Sequence, residues 1–481
     1  MQFNSLHYIL FFPLVALGYF ALPQRWRWAW LLAASYYFYG CWNPAYLLLL
    51  LASTVVDYSV GLALGRVQRP TARTAILLCS LALNLGLLFT FKYFNFFSES
   101  LAYFTGAIAG REIVPYHLDV LLPAGISFYT FQTLAYTIDV YRRDCPPEKH
   151  LGRFALYVAF FPQLVAGPIE RAAHLLPQFC ERHRWDYART VSGLRLVLWG
   201  LFKKMVVADR MALIAGSVYG EAEAPAGIFV VIGTVAFAFQ IYCDFSAYSD
   251  IAVGSARVLG IDLMLNFNRP YAAQSIRDFW RRWHISLSIW FRDYVYMPLG
   301  GGRVTGLRWV RNIAVVFLLS GLWHGAEWTF VCWGALHALY YFAGEAFARL
   351  RGPGEPGALR ALVNRVTIFG LVCFAWIFFR ATSLEHAMDL VTALPRGWFD
   401  PVLVAEQWEA FTLANPVSSL LLGLGALAGM LLLEGSQAAN QAPRPFQSPH
   451  GFVRWFAYAV TLFLIFALGG YHEIPFIYFQ F

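Results

Sequence analysis

A single histidine stands in an apolar part of the chain, in the stretch "SGLWHGAEWTF" (320–330). His324 follows eleven residues, 313–323, none of which is ionisable. The pKa of histidine lies near neutrality, so an imidazole held in such a place is suited to proton transfer. An ionisable residue inside a membrane span is functional by default, and Glu327 is spaced to orient the ring or share its proton. A structural histidine buried in a protein core is the alternative.

Basic and aromatic residues alternate in the stretch 276–302. Helical spacing puts three basic residues on one stripe: Arg277, Arg281 and His284. Three tryptophans frame this stripe: Trp280, Trp283 and Trp290. A cationic stripe of this kind can hold the phosphate groups of a cofactor or a lipid. A helix that lies in the membrane interface, with its arginines among the headgroups, explains the same pattern, and both can be true together.

Two carboxylates, Asp244 and Asp250, interrupt the apolar stretch 240–250. On a helix, Asp244 faces Tyr248 and Asp250 faces Ser246 at a spacing of four residues. Carboxylates inside an apolar segment are costly, and they are usually paired or functional. We therefore expect them to tie helices together through buried hydrogen bonds. Direct chemistry and a plain loop remain alternatives.

A fourth segment, "LVAGPIER" (164–171), contains residues that break helices. Pro162, Gly167 and Pro168 interrupt an otherwise apolar run. Irregular backbone at membrane depth must be enclosed by protein, so a re-entrant turn and a kinked span both fit.

The composition indicates an integral membrane protein. Of 481 residues, 59% are hydrophobic and 13% are charged, and the mean hydropathy is +0.53. Soluble proteins carry about 25% charged residues. The apolar runs predict an all-α bundle of about 10 to 13 transmembrane and re-entrant helices. Spans that adjoin the polar stretches are predicted at 119–140, 153–168, 226–243, 309–324 and 326–347. The first apolar run, 5–22, lacks the features of a signal peptide and is predicted to be a membrane helix.

The formal charge of +8 comes from basic residues that cluster between apolar runs. By the positive-inside rule these loops face the cytoplasm, so both termini are predicted to be extracytoplasmic. The more polar stretch 381–414 is predicted to form an outer cap. No Lys/Arg block is longer than a pair, which argues against nucleic-acid binding. The seven cysteines show no C-x-x-C spacing, which argues against a disulfide framework or a metal site.

Several long motifs resemble the membrane-bound O-acyltransferase family, and in particular its bacterial, AlgI-like branch that acts in alginate O-acetylation. The strongest are "RDFWRRWHISLSIWFRDYVYMPLGG" (277–301) and "SGLWHGAEWTFVCWG" (320–334), which begins about 40 residues after the start of the first. The stretches at 122–142, 160–171 and 240–254 match in the same order. The resemblance covers nearly the whole chain. It implies a single domain, 1–481, that is built around a central tunnel, with the catalytic core in 119–347.

The resemblance also implies an activity. His324 matches the family's catalytic histidine, and His284 matches its second polar position. The enzyme would transfer an acyl group from a cytoplasmic thioester, acetyl-CoA, to a hydroxyl, and Arg277, Arg281 and Trp280 are candidates for positioning the donor. An extracytoplasmic partner, an acetyltransferase of the SGNH type, would complete transfer to a polysaccharide. Ala247 and Cys243 depart from the branch's usual residues, which puts substrate detail in doubt, and the role of Glu327 cannot be carried over.

The chain ends in an aromatic tail, "HEIPFIYFQF" (472–481), with one hydroxyl in its last residues, Tyr478. The tail is similar to the C-terminal motif of a small membrane partner in teichoic-acid D-alanylation. That similarity implies that Tyr478 carries the acyl group, whereas an aromatic anchor at the membrane interface is the alternative.

Two other functions compete with polysaccharide O-acetylation. The first is acyl transfer with another donor, such as D-alanyl, or another acceptor, such as peptidoglycan, a lipid or a small molecule. The second is a proton-coupled solute transporter with Asp244, Asp250 and His324 as its relay. The halves of the chain show no paired broken helices of the transporter kind.

Overall fold

The computed structural model describes residues 1–220, 225–351, 357–469 and 476–477. Within these ranges the regular structure is helical and no β-strand occurs, which confirms the all-α prediction. The α-helices follow in chain order: α1 (Leu6–Ala21), α2 (Gln24–Gly40), α3 (Pro44–Arg66), α4 (Pro70–Leu88), α5 (Phe94–Ala109), α6 (Ile126–Arg142), α7 (Leu151–Ala159), α8 (Ala172–Cys180), α9 (Tyr187–Phe202), α10 (Asp209–Tyr219), α11 (Gly227–Leu259), α12 (Ile276–Trp280), α13 (Ile285–Phe291), α14 (Leu307–His324), α15 (Trp328–Arg351), α16 (Ala358–Arg380), α17 (Leu384–Ala393), α18 (Pro401–Ala414), α19 (Val417–Gly435) and α20 (Gly451–Leu468).

Shorter helical segments join some of these helices. Three are π-helical: Phe89–Tyr93, Lys203–Ala208 and Arg292–Tyr296. The first of them makes α4 and α5 one continuous helix. The second continues α9 into α10, and it carries two buried lysines that are described below.

The protein is a multi-pass membrane protein. Six of the described helical segments are long and apolar enough to cross a bilayer: α3, the continuous segment Pro70–Ala109, α11, α16, α19 and α20. Their outer faces carry large exposed apolar side chains, such as Phe463 and Phe466 of α20, because lipid and not water surrounds them. Helix α1 is apolar but has only 16 residues. The total of 10 to 13 membrane helices stays a prediction.

The chain divides into two compact units. One comprises Met1–Gly193 with Ser255–Met264, and the other comprises Leu194–Gly254 with Leu265–Phe481. The described residues that the sequence singled out for chemistry, such as His284 and His324, belong to the second unit. The prediction of one functional domain over 1–481 stays open.

In the first unit, a buried polar cluster joins three helices. The Asp57 carboxylate of α3 accepts hydrogen bonds from Ser80 at 2.9 Å and Asn84 at 2.8 Å, both on α4. Thr133 of α6 donates to Asn84 at 3.4 Å. The segment 160–171 also lies here: α7 ends at Ala159 and the chain makes turns through 161–167, so the helix stops and does not merely kink.

In the second unit, α14 and α15 form a closely packed hairpin. Glycines face the opposite helix at the contact, and a Cβ at Gly321 would lie 2.2 Å from the carbonyl oxygen of Phe330. A Cβ at Gly334 would lie 2.4 Å from the carbonyl oxygen of Phe317. Small residues let two membrane helices approach this closely. His324 is the last residue of α14, so this contact sets its position.

Candidate active site

His324 lies inside an aromatic enclosure and does not face lipid. Its side chain is 3% exposed. The ring centroid lies 5.0 Å from that of Trp323, 5.1 Å from Trp333 and 5.3 Å from Phe379. Aromatic side chains from α14, α15 and α16 therefore meet around one imidazole.

The structure brings His284 to the same place. The centroids of the His284 and His324 rings are 6.1 Å apart, although 40 residues separate them in the chain. His284 is completely buried and contacts the rings of Phe245 at 4.7 Å and Trp323 at 5.5 Å. It lies outside the six spanning helices, and burial lowers its pKa to about 3. The imidazole of His284 is therefore neutral at physiological pH.

The main chain at His284 adopts the left-handed conformation, with φ 43° and ψ 55°. Few residues other than glycine do so. The prediction that Arg277, Arg281 and His284 share one helical stripe is therefore wrong. Helix α12 ends at Trp280, and α13 begins only at Ile285.

The break between α12 and α13 is held by the segment 265–268, which makes main-chain hydrogen bonds to it. Asn268 donates to the carbonyl of Arg282, and Ile285 donates to the carbonyl of Asn266, both at 2.9 Å. The hydroxyl of Ser286 donates to the Asn266 side chain at 2.9 Å. Asn266, in turn, donates to Ser249 of α11 at 3.2 Å. These contacts outweigh the local helical preference, and sequence reasoning missed Asn266.

The two arginines of the predicted stripe do not share the burial of the histidines. Arg277 and Arg281 are exposed, whereas His284 is buried. Arg277 forms an ion pair with Glu345 of α15, and its guanidinium lies 5.8 Å from the ring centroid of Tyr341. Trp280 packs against Trp333 and His337, with centroids 5.7 and 5.0 Å away.

The carboxylates of α11 belong to a buried charge cluster. Asp244 lies 2.6 Å from the ammonium of Lys204, which also lies 3.0 Å from Asp209. Asp250 lies 2.6 Å from Lys203. Lys203 also donates to Ser246 at 2.8 Å, so Ser246 and Asp250 share one cation. The carboxylates thus tie α11 to the π-helical turn that follows α9.

Sequence reasoning missed the two lysines, although a signal was present. Lys203 and Lys204 interrupt an apolar run, "LVLWGLFKKMVVA" (196–208), and are 2% and 1% exposed. Adjacent ionisable residues at such a position indicate a buried partner. A π-helical turn within a helix is frequently found at functional sites.

A cavity lies next to the enclosure around His324. Its volume is 280 Å³, and polar and apolar side chains line it: Gln240, Glu327, Thr329, Phe330, Phe379, Arg380, Ala381, Thr382 and Ile477. Phe379 contacts both this cavity and the ring of His324. Glu327 faces the cavity and is exposed. Tyr478, the predicted acyl carrier, lies outside the described residues.

Comparison with known proteins shows the family of the chain. A family model for membrane-bound O-acyltransferases matches residues 147–383. The chain is also 41% identical to the probable alginate O-acetylase AlgI of Azotobacter vinelandii, over 82% of this chain and 78% of that protein. The chain belongs to the membrane-bound O-acyltransferase family. It is therefore an O-acyltransferase, and the matched range 147–383 contains the positions of both histidines of the enclosure.

Two further relatives of this membrane-bound O-acyltransferase carry different names. A peptidoglycan O-acetyltransferase of Helicobacter pylori is 36% identical over 82% of this chain and 80% of its own length. A teichoic acid D-alanyltransferase of Bacillus subtilis is 27% identical over 54% of this chain and 69% of its own length. Membership of the family favours acyl transfer over the transporter hypothesis.

Proposed function

We propose that this acyltransferase moves an acetyl group from cytoplasmic acetyl-CoA to an acceptor on the outer side of the bacterial inner membrane. The final acceptor of the acetyl group is an exopolysaccharide such as alginate or a cell-wall polymer. The observation that carries the proposal is the pair His284 and His324, 6.1 Å apart in one aromatic enclosure beside a polar cavity. The names of the A. vinelandii and H. pylori relatives support an acetyl donor and a polymeric acceptor.

His324 is the proposed general base. Its imidazole takes the proton of the acceptor hydroxyl while that oxygen attacks the thioester carbonyl carbon. The C–S bond then breaks, and the departing CoA thiolate takes the proton from the imidazolium. A thioester and an alcohol thus become an ester and a thiol. The neutral ring of His284 is proposed to position the reacting groups as an N–H donor to the carbonyl oxygen, where negative charge develops.

The orientation of the protein follows the positive-inside rule. We place both termini and the helices α17 and α18 of the 381–414 cap outside, and the basic loops inside. Arg277 and Arg281 are proposed to bind phosphate groups at the cytoplasmic face. Both are exposed, and Arg277 also pairs with Glu345. Trp280, which packs against His337, is proposed to help position the donor. A CoA donor and membrane lipid headgroups both supply such phosphates.

An extracytoplasmic acetyltransferase of the SGNH type is the proposed partner that hands the acetyl group to the polymer. In this scheme the phenol oxygen of Tyr478 receives the acetyl group as an ester and releases it to the partner. A Tyr478→Phe variant that acetylates polymer fully in cells would end the carrier role, and the tail would then be an aromatic anchor.

A D-alanyl donor is the second candidate function, because the B. subtilis relative is a D-alanyltransferase. Parallel incubations with labelled acetyl-CoA and a labelled D-alanyl thioester distinguish the two. Label from the D-alanyl thioester alone would replace acetyl transfer by D-alanyl transfer.

The decisive experiment traps the acyl group on the protein. Purified protein is incubated with isotope-labelled acetyl-CoA, and the labelled peptides are mapped by mass spectrometry. We expect the label in wild type and a loss of roughly a hundredfold or more in His324→Gln, the range for removing a general base. His337→Gln is the matched control, since His337 is also fully buried beside Trp333. Equal labelling of His324→Gln and His337→Gln would show that His324 is not the general base.

A further inference from the structure

The last described residues of the chain are deeply buried. Phe476 and Ile477 are 1% and 2% exposed, although α20 ends at Leu468. The surroundings of these two residues show what holds them.

Phe476 and Ile477 are held by three contacts, to Asp244, Lys204 and Tyr248. The main-chain N–H of Ile477 donates to the Asp244 carboxylate at 2.5 Å. The Lys204 ammonium lies 4.6 Å from the ring centroid of Phe476, within range of a cation–π interaction. The same ring packs edge-on against Tyr248, with centroids 5.2 Å apart and an interplanar angle of 86°.

The charges of the cluster explain why a tail amide fits there. Lys204 is shared by two buried carboxylates, Asp209 and Asp244, so one negative charge is left over. A buried carboxylate needs hydrogen-bond donors beyond its ion pair, because a buried charge that is not compensated is costly. The Ile477 amide supplies one to Asp244, and a hydrogen bond to a charged group is among the stronger ones.

The docked tail also reaches the candidate active site. Ile477 forms part of the wall of the 280 Å³ cavity, together with Glu327 and Arg380. Phe379, in the same wall, contacts the ring of His324 at 5.3 Å. Ile477 thus contacts both the charge cluster, through Asp244, and the cavity beside His324, the proposed base.

We propose that Asp244 and Lys204 form a docking site for Phe476 and Ile477, and that acyl transfer requires these two residues to be docked. They are positioning residues: they hold Phe476 and Ile477, which complete the cavity beside His324. The requirement in transfer rests on the proposed function, whereas the docking itself does not.

The test changes the tail and leaves the charge cluster intact. Ile477→Pro removes the N–H that Asp244 accepts, because proline has no amide hydrogen. Ile477→Val is the matched control, since valine keeps that N–H and the branched side chain. Both are made in the full-length chain with Asp244 and Lys204 unchanged, so neither variant leaves a buried lysine without its partner.

Docking is measured without any acyl transfer. A photoreactive benzoylphenylalanine replaces Phe476, and cross-linked peptides are identified by mass spectrometry. We expect cross-links to residues 203–209 and 240–250 in the parent protein and in Ile477→Val. Ile477→Pro should give roughly tenfold fewer, which is the effect of losing one hydrogen bond to a charged group. Absence of these cross-links in the parent protein, or full cross-linking in Ile477→Pro, overturns the docking site.

Transfer is then measured in the same variants, without the photoreactive residue. We expect Ile477→Pro to lower kcat by about tenfold relative to Ile477→Val, with the KM for acetyl-CoA and the thermal midpoint little changed, because only the proline removes the hydrogen bond to Asp244. Lost cross-linking with retained kcat overturns the positioning role. A wild-type protein that transfers nothing from any thioester refutes the proposed function, while the cross-links still decide the docking site.

Discussion

The side-chain oxygen of Asn266 accepts a hydrogen bond from the hydroxyl of Ser286 at 2.9 Å, and its main-chain oxygen accepts one from Ile285 at the same distance. Both donors directly follow His284, whose main chain is left-handed. Such a conformation costs about 1–3 kcal/mol and persists only where the surroundings impose it. Asn266 therefore fixes the direction in which the His284 ring enters the enclosure.

We expect Asn266→Ala to lower kcat by up to about a hundredfold, because displacement of a catalytic group by about 1 Å has effects of that size. Ser286→Ala and Ser249→Ala form a matched pair, since each removes one hydroxyl that is bonded to Asn266. Ser286→Ala should lower kcat more than Ser249→Ala, because Ser286 is only two residues from His284 in the chain, whereas Ser249 lies on α11. Steady-state acetyl transfer and thermal melting are measured for all three. Losses of kcat that simply follow losses of stability would mean that Asn266 has a structural role only.

The buried ring of His284 predicts a dependence of stability on pH. The folded protein keeps this imidazole neutral down to its pKa of about 3, whereas an unfolded chain takes up the proton near pH 6.5. Below pH 6.5 the unfolded state therefore binds one more proton. Between pH 6.5 and pH 3 the free energy of unfolding should therefore fall by about 1.4 kcal/mol for each unit by which the pH is lowered. Above pH 6.5 the ring is neutral in both states, so this loss of stability is absent.

The measurement compares wild type with His284→Asn in denaturant titrations between pH 7 and pH 4.5. Asparagine is chosen because it tolerates a positive φ better than alanine does. The contributions of the other titrating groups cancel in the difference between the two proteins. Identical slopes against pH would show that His284 is protonated in the folded protein.

The glycine contact between α14 and α15 predicts a steric effect on the site. A Cβ at Gly321 would lie 2.2 Å from the Phe330 carbonyl oxygen. Gly321→Ala must therefore push the helices apart, at a cost of about 1–3 kcal/mol, and move His324, one helical turn away. We expect a lower thermal midpoint together with lower transfer activity.

Gly344→Ala is the control for this substitution. Gly344 lies in α15, the other helix of the hairpin, and a Cβ there would meet no atom within 4 Å. Alanine should stabilise the helix there by up to about 1 kcal/mol and leave transfer unchanged. A Gly321→Ala protein as stable and active as Gly344→Ala would contradict the close packing of the hairpin.

The sequence alone determined the class of the protein and much of its secondary structure. Apolar runs long enough to span a bilayer predicted α14 at 309–324 and α15 at 326–347, close to the observed Leu307–His324 and Trp328–Arg351. It also singled out His324, because an ionisable side chain in an apolar run is conspicuous. These are local properties, which periodicity and composition can express.

The assembly of the site depends on contacts between distant parts of the chain. The stripe of Arg277, Arg281 and His284 followed helical spacing, but hydrogen bonds from the distant segment 265–268 break that helix and turn His284 inward. Likewise, Lys204 meets Asp244 from 40 positions away, and the tail meets Asp244 from 233 positions away. Such pairings depend on which helices come together in space. No local pattern along the chain encodes that, so the partners of these residues could not be predicted from the sequence.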